Sequence, residues 1–247
     1  MCSTAPANLD TYAEWMSDPV VSVLDCWFSA ASIAVVAVCP TWFPNMFYWP
    51  NGGASMAGAN TPASNNVTVK MYDPVNLTPY NLSASIMNES TSEDTPGGSW
   101  WHQAVTQAFL ELGNLTYVFG VLPNATFDVT GFASVVLTTI TGKSGTTVKI
   151  SEAYKTQDDL FNELSRSNFT PVVISTKPQT VKLHPQLSPN HDFGVMNTTI
   201  LPDGTKNVTL RNPWGDEEGY HLWDVWENCY YVHHLTNWDV LKPGQGQ

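Results

Sequence analysis

Three residues of this chain have types that can do nucleophilic chemistry together: Cys26, His191 and Asn212. A cysteine attacks as its thiolate, and unpaired N–H groups at a helix start lower the thiol pKa. Cys26 stands immediately before "WFSAASIAVVAV", a run of small and apolar residues that reads as a buried helix. Alone, that placement fits a core thiol as well as a nucleophile. A nucleophilic thiol also needs a base, and the base needs a group to orient it. His191 opens one strand-like segment and Asn212 closes the next, with Asp203-Gly204 as the hairpin turn signal between them. Two antiparallel strands of nearly equal length bring such ends side by side. The Asn carbonyl then accepts from one ring nitrogen and leaves the other facing a thiol. Trp214, two residues beyond Asn212, is placed to cover that bond from water. A structural histidine beside a turn asparagine has the same spacing, so the spacing leaves both readings open.

The other chemically capable residues fit less well. His184 lies seven residues before His191 but lacks an aromatic-apolar strand after it. His233 and His234 are adjacent, and adjacent residues on a strand point to opposite faces, so both read as structural or surface residues. Apart from Cys26 the cysteines are Cys2, Cys39 and Cys229, which allow one pair and an odd thiol without fixing which. The ten tryptophans read as cleft and core packing.

The elements that must position these residues follow from pattern. "NVTVKMYDP" alternates and reads as a strand ending in a turn. In "SWWHQAVTQAFLELG", Trp101, Ala104, Val105, Ala108, Phe109 and Leu112 share one helical face, with Ser99 as cap and Gly113 as stop. Residues 42–63 read as loop with short strands, and "STSEDTPGG" as an exposed connector. A second segment starts near Gly131. There "TTVKI" and "TPVVIST" read as strands, and Thr156 with Asp159 forms a capping box ahead of a helix that buries Leu160, Phe161 and Leu164. The expected class is α+β: a helix-rich first part around Cys26 and a largely antiparallel second part.

Composition bounds the partners. The 247 residues carry a formal charge of −12 and no basic run, which argues against nucleic acid or an anionic membrane. The apolar stretch after Cys26 ends at Cys39-Pro40, too short to span a bilayer, and residues 1–20 lack the pattern of a signal peptide. Asn66, Asn76, Asn81, Asn88, Asn114, Asn124, Asn168, Asn197 and Asn207 all open Asn-x-Ser/Thr triplets. Such an excess fits a secreted, glycosylated surface; an Asn/Thr-rich composition is the alternative source.

Together, "LDCWFSAASI", "HDFGV" and "RNPWG", with Glu218 and Trp223 following, resemble the nucleophile, histidine and asparagine motifs of the calpain family of papain-like cysteine peptidases. "VTVKMYDP", "WWHQAVTQAFLELG" and "DVTG" resemble that family's first-lobe strand, helix and lobe end. The order is the family's, over nearly the whole chain. The resemblance implies a papain-like two-lobed core, residues 1–130 carrying the nucleophile and residues 131–247 carrying His and Asn. It implies a cysteine endopeptidase acting on protein or peptide substrates, with Cys26 as nucleophile, His191 as proton shuttle, Asn212 as orienting group, and Trp27 and Trp214 in support. A monomer is expected.

Two departures qualify this. The family's oxyanion-donating Gln falls on Val20, with Ser22 or Asn8 as substitutes; losing one such donor costs about 10²–10³ in turnover. Val20 therefore feeds an alternative, a catalytically weak or inactive relative that grips extended peptide. Calpain cores also bind calcium. Glu218 falls on one acidic position, but Val225 replaces an expected aspartate and "ENCYYVHH" is a shortened loop. The six or more oxygens that a hard cation wants are not assembled here, so no cofactor is required and no metal ligand is assigned. The resemblance points to a cytoplasmic protein and the composition to an extracellular one; extracellular is the expectation.

Overall fold

Helix α1 (Cys26–Val38) is buried on every side from Trp27 to Val36, and small residues make that possible. Ala30, Ala31 and Ala34 let neighbouring backbones approach closely, and a helix apolar all round belongs in a core. This computed structural model describes residues 26–48, 66–85, 100–116, 133–178, 187–213, 215 and 217–241. The segment after α1 contains a 3-10 turn at Phe43–Met46 and strand β1 (Phe47–Tyr48). Strands β2 (Asn66–Tyr72) and β3 (Pro79–Ser85) complete a three-stranded antiparallel sheet in the order β1-β2-β3. Alternation along β2 puts Val67, Val69 and Met71 inward. Its turn is held by Asp73, whose Oδ1 accepts from the Val75 backbone N–H at 2.7 Å.

Helix α2 (Trp100–Thr116) packs on that sheet through Ala104, Val105, Ala108, Phe109 and Leu112, the stripe its periodicity predicts. Gly113 does not stop it. The helix runs one turn further to Thr116, with Gly113 buried. The cap expected at Ser99 and the side chain of Trp101 lie outside the described residues.

Helix α3 (Ala133–Thr141) packs against α1, β2 and strand β4 (Gly145–Lys149). Its β-branched sequence, "ASVVLTTIT", has no helical bias of its own. Gly142 ends it at φ +66, and a Cβ there would sit 2.8 Å from the Tyr72 ring, so only glycine fits. Ala133, Val136, Leu137 and Ile140 belong to the same hydrophobic cluster as α1 and α2, although they follow Gly131 in sequence.

The remaining elements are α4 (Ile150–Ala153), α5 (Gln157–Leu164), β5 (Val172–Thr176), β6 (Asp192–Ile200), β7 (Lys206–Arg211), β8 (Glu217–His221), α6 (Leu222–Asn228) and β9 (Cys229–Leu235). The capping box of α5 forms as its sequence predicts: Thr156 Oγ1 accepts from the Asp159 N–H at 3.1 Å, and Asp159 Oδ2 accepts from the Thr156 N–H at 2.9 Å. All pairings in the second sheet are antiparallel, in the order β4-β9-β5-β6-β7-β8. The late strand β9 thus inserts between β4 and β5. Alternation on the central strands separates the two faces: Val173 joins the cluster around α1, while Ile174, Phe193 and Val195 join a second cluster with Leu160, Leu164 and Val225. The fold is mixed helix and antiparallel sheet, with no helix among the described residues long and apolar enough to cross a membrane.

Candidate active site

Strand β6 and helix α1 meet at Gly194. A Cβ at that position would lie 3.3 Å from Ile33 Cγ2 and 3.4 Å from the Ala30 carbonyl oxygen. The missing side chain is what lets strand and helix approach so closely. Ala30 lies one helical turn, about 6 Å, beyond Cys26. Gly194 lies three strand residues, about 10 Å, beyond His191. One crossing therefore ties the element that begins with the thiol to the element that begins beside the imidazole.

Cys26 is the first residue of α1 and half-buried, and it carries a thiol. No acidic residue lies within the first turn of α1 itself, although Asp25 precedes Cys26 in sequence. Trp27 fixes this end of the helix. Its buried ring packs edge-on against Phe28 at 6.3 Å and Phe109 of α2 at 5.7 Å.

His191 is held at both backbone and ring. Thr176, the last residue of β5, accepts the His191 N–H on its hydroxyl at 2.9 Å and donates its own N–H to the His191 carbonyl at 2.9 Å. The chain turns into this position through Asn190, at φ 50, a conformation asparagine tolerates better than most residues. The imidazole stands edge-on to Phe193, with centroids 4.9 Å apart. Its Nε2 lies 2.9 Å from Asn212 Oδ1, in a buried contact. A carboxamide oxygen only accepts, so Nε2 carries the hydrogen. In the neutral ring Nδ1 is then the lone-pair nitrogen, the one able to accept a proton. Burial pulls the His191 pKa below its usual value, and the Asn212 hydrogen bond opposes that by favouring the charged form. Asn212 is itself fixed by the turn that follows, its carbonyl accepting from the Gly215 N–H at 2.9 Å.

The structure thus brings His191 and Asn212 into contact and packs the helix of Cys26 against the His191 strand. Trp214, Val20, Ser22, Asn8 and His184 lie outside the described residues. Cys39 is disulfide-bonded, while Cys229 is a buried thiol whose pKa burial drives up. Glu218 is half-buried on β8, and Val225 is buried inside α6. Among the described residues, no group of three or more His, Cys, Asp and Glu side chains is arranged to hold a metal ion.

The sequence reading missed Thr176, which pins the histidine backbone, and the polar residues beside it. Asp192 is buried, and its pKa is pushed up to about 7 by burial, partly opposed by a hydrogen bond from Ser175. His233 is buried completely, with Nδ1 2.8 Å from Thr147 Oγ1 and Nε2 2.7 Å from Ser175 Oγ. His234 faces the other way and stacks on Trp238 at 3.7 Å. The signal available for Asp192 was the acidic residue inside "HDFGV", at a position that reads as buried strand.

No family model matches this chain, and no curated protein matches it.

Proposed function

We propose that this chain is a calpain-like cysteine endopeptidase with a papain-like, two-lobed core, in which Cys26 attacks, His191 moves the proton and Asn212 holds the imidazole. The buried His191–Asn212 hydrogen bond carries this reading, because it leaves Nδ1 as the basic nitrogen. In the proposed cycle His191 Nδ1 takes the Cys26 proton, and the thiolate adds to the scissile carbonyl carbon as the C=O π pair moves onto oxygen. The imidazolium then protonates the leaving amine. Water, deprotonated by the same nitrogen, hydrolyses the thioester and restores the thiol. Partial burial strengthens the Cys26–His191 attraction, since charges interact more strongly away from water.

The test is labelling of Cys26 by an epoxide-type thiol inhibitor at neutral pH. Labelling that is much faster than for free cysteine, and that His191→Ala abolishes, supports the triad. A thiol that reacts no faster than free cysteine overturns it. In that case the second reading stands, a peptide-binding relative without turnover, which Val20 at the oxyanion position favours.

The working compartment in this reading is extracellular. The disulfide at Cys39 fits an oxidising environment, and Asn66, Asn76, Asn81, Asn168 and Asn197 of the triplets are exposed. Mass loss of the native protein on endoglycosidase treatment checks it.

A further inference from the structure

The outer face of the three-stranded sheet carries an open groove of about 560 Å³ lined by Tyr48, Thr68, Lys70, Pro79 and Asn81. Strand alternation puts these five side chains together. Val67, Val69 and Met71 of β2 point into the core, as do Phe47 of β1 and Leu82 of β3. Their neighbours therefore point outward, with Tyr48 opposite Thr68 and Asn81 opposite Lys70. Asn81 opens an Asn-Leu-Ser triplet whose Asn81 and Ser83 are both exposed. The groove thus contains an attachment point for a sugar. Tyr48 is 38% exposed and offers a flat apolar ring, the surface against which the C–H face of a pyranose packs. Lys70 Nζ lies 5.6 Å from the centroid of the Tyr72 ring and makes no salt bridge among the described residues. Its N–H donors suit carbonyl and hydroxyl oxygens.

We propose that this groove seats the N-linked glycan of the chain's own Asn81. In this arrangement the N-acetylated sugar nearest the protein lies over Lys70 and Thr68, and the next sugar packs on Tyr48. The inference rests on the extracellular reading and is independent of the peptidase one. Attachment joins the sugar C1 to Asn81 Nδ2, which loses one proton. The C1–O bond of a lipid-diphosphate-linked oligosaccharide breaks, and the diphosphate leaves with the electron pair. Tyr48 stands two strands from Asn81, about 10 Å across the sheet, a span for two linked sugars rather than one. A neutral, tethered occupant suits the groove better than a diffusing one. The formal charge of −12 opposes the approach of anions to Lys70. An open groove gives a free ligand little to set against its lost translational freedom, whereas a group tied to Asn81 is always present at high effective concentration. Asn66 supplies the comparison. It opens the other triplet on this face, with Thr68 as its hydroxyl residue, but does not line the groove.

The test uses the full chain secreted by cells that glycosylate it. Glycopeptide mass spectrometry should find both Asn81 and Asn66 occupied. Site-resolved release by an endoglycosidase should then be about tenfold slower at Asn81 than at Asn66 in the folded protein, because a glycan seated about nine-tenths of the time is open to the enzyme for the rest. After unfolding in urea the two rates should match. Tyr48→Ser and Lys70→Gln change outward-facing side chains, and each should bring the Asn81 rate up to that of Asn66 without changing occupancy. Equal rates in the folded wild type overturn the inference, as does slow release that persists in both variants. A difference that survives unfolding comes from glycan composition and overturns it as well. An unmodified Asn81 beside a modified Asn66 overturns this inference and leaves the extracellular reading standing. A chain with no glycan on any triplet removes both.

Discussion

The Nε2 of His191 and the Oδ1 of Asn212 stand 2.9 Å apart and buried, joined across the open end of the β6–β7 hairpin. The pair exists because the hairpin is in register at its base. Gly194 faces Arg211, and His191 and Asn212 lie just beyond those two residues. A one-residue register shift between Val195 and Asn197 takes up part of the length difference between the two strands, and His191 reaches Asn212 from beyond the paired end. The bond fixes the tautomer as well as the direction of the ring. Asn212→Ala should therefore lower kcat/KM and the rate of Cys26 alkylation by about 10–100-fold, less than the ~10²–10⁴ expected for removing the base in His191→Ala. Asn212→Asp should retain more activity than Asn212→Ala, because a carboxylate still accepts from Nε2. Equal rates for Asn212→Ala and wild type would place the histidine outside the chemistry.

Gly194 offers a test of how the thiol is positioned. A methyl group here meets Ile33 Cγ2 at 3.3 Å and the Ala30 carbonyl at 3.4 Å, and the backbone of a buried helix has little room to retreat. Gly194→Val should destabilise the fold by about 1–3 kcal/mol through overpacking. It should also slow Cys26 alkylation more than a distant substitution of equal cost. Urea midpoints paired with alkylation rates measure both effects. Unchanged stability would mean that helix and strand are less tightly joined than these distances require.

Much of this arrangement was legible before the fold was known, and the reasons differ by element. The α5 capping box and the Asp203-Gly204 turn are local, so sequence alone specifies them; Gly204 adopts the φ of +85 that the turn requires. The His–Asn pairing was readable because one hairpin carries both residues. Helix α3 was not readable. Its Val, Thr and Ile residues favour strands, and only burial against α1 and β2 overrides that preference. Gly113 misled because a glycine near a helix end is usually a stop, whereas here it is buried within the helix. The insertion of β9 between β4 and β5 pairs residues 86 positions apart, such as Thr147 and His233. No local pattern encodes that pairing, so the hydrogen bonds of His233 to Thr147 and Ser175 stayed hidden.

Glycan attachment should follow exposure. Asn66, Asn81, Asn168 and Asn197 are exposed. Asn76 is exposed too, but its side chain donates to Asp73 Oδ2 at 3.2 Å and accepts from the Thr78 N–H at 2.8 Å. Asn207 is half-buried. Glycopeptide mass spectrometry of the natively expressed protein should find the exposed sites occupied more fully than the half-buried Asn207. A fully unmodified protein would withdraw the extracellular assignment.

Val20→Gln tests the oxyanion position. If the preceding loop runs as the resemblance implies, restoring an amide donor should raise kcat by about 10–10³-fold and change KM much less, because the stabilised charge is absent in the ground state. A folded variant with no gain would mean that another donor, with Ser22 the first to try, already serves. Ser22→Ala should then lose activity.

Acid stability should show two buried groups pulling in opposite directions. His233 titrates near 6.5 when unfolded and at about 3 when folded. Between those values the unfolded chain holds a proton the folded chain refuses, so stability falls as pH drops below 6.5. At pH 4.5 that cost is on the order of 2–3 kcal/mol. Asp192 runs the other way. Its folded pKa of about 7 lies above its ordinary value of 3.8, so the folded chain holds the extra proton. Its contribution is fully present below about pH 4 and is lost as pH rises through 7. From pH 7.5 to 4.5 the two terms are of similar size and opposite sign, so neither is visible in the wild type alone. Substitution separates them. His233→Gln removes the acid-side loss and should gain stability on acidification relative to wild type, whereas Asp192→Asn removes the acid-side gain and should lose it. Urea midpoints at pH 4.5 and 7.5 for the three proteins decide the matter: parallel shifts would mean that neither group is held in the folded state as its burial demands, and diverging ones fix the sign of each.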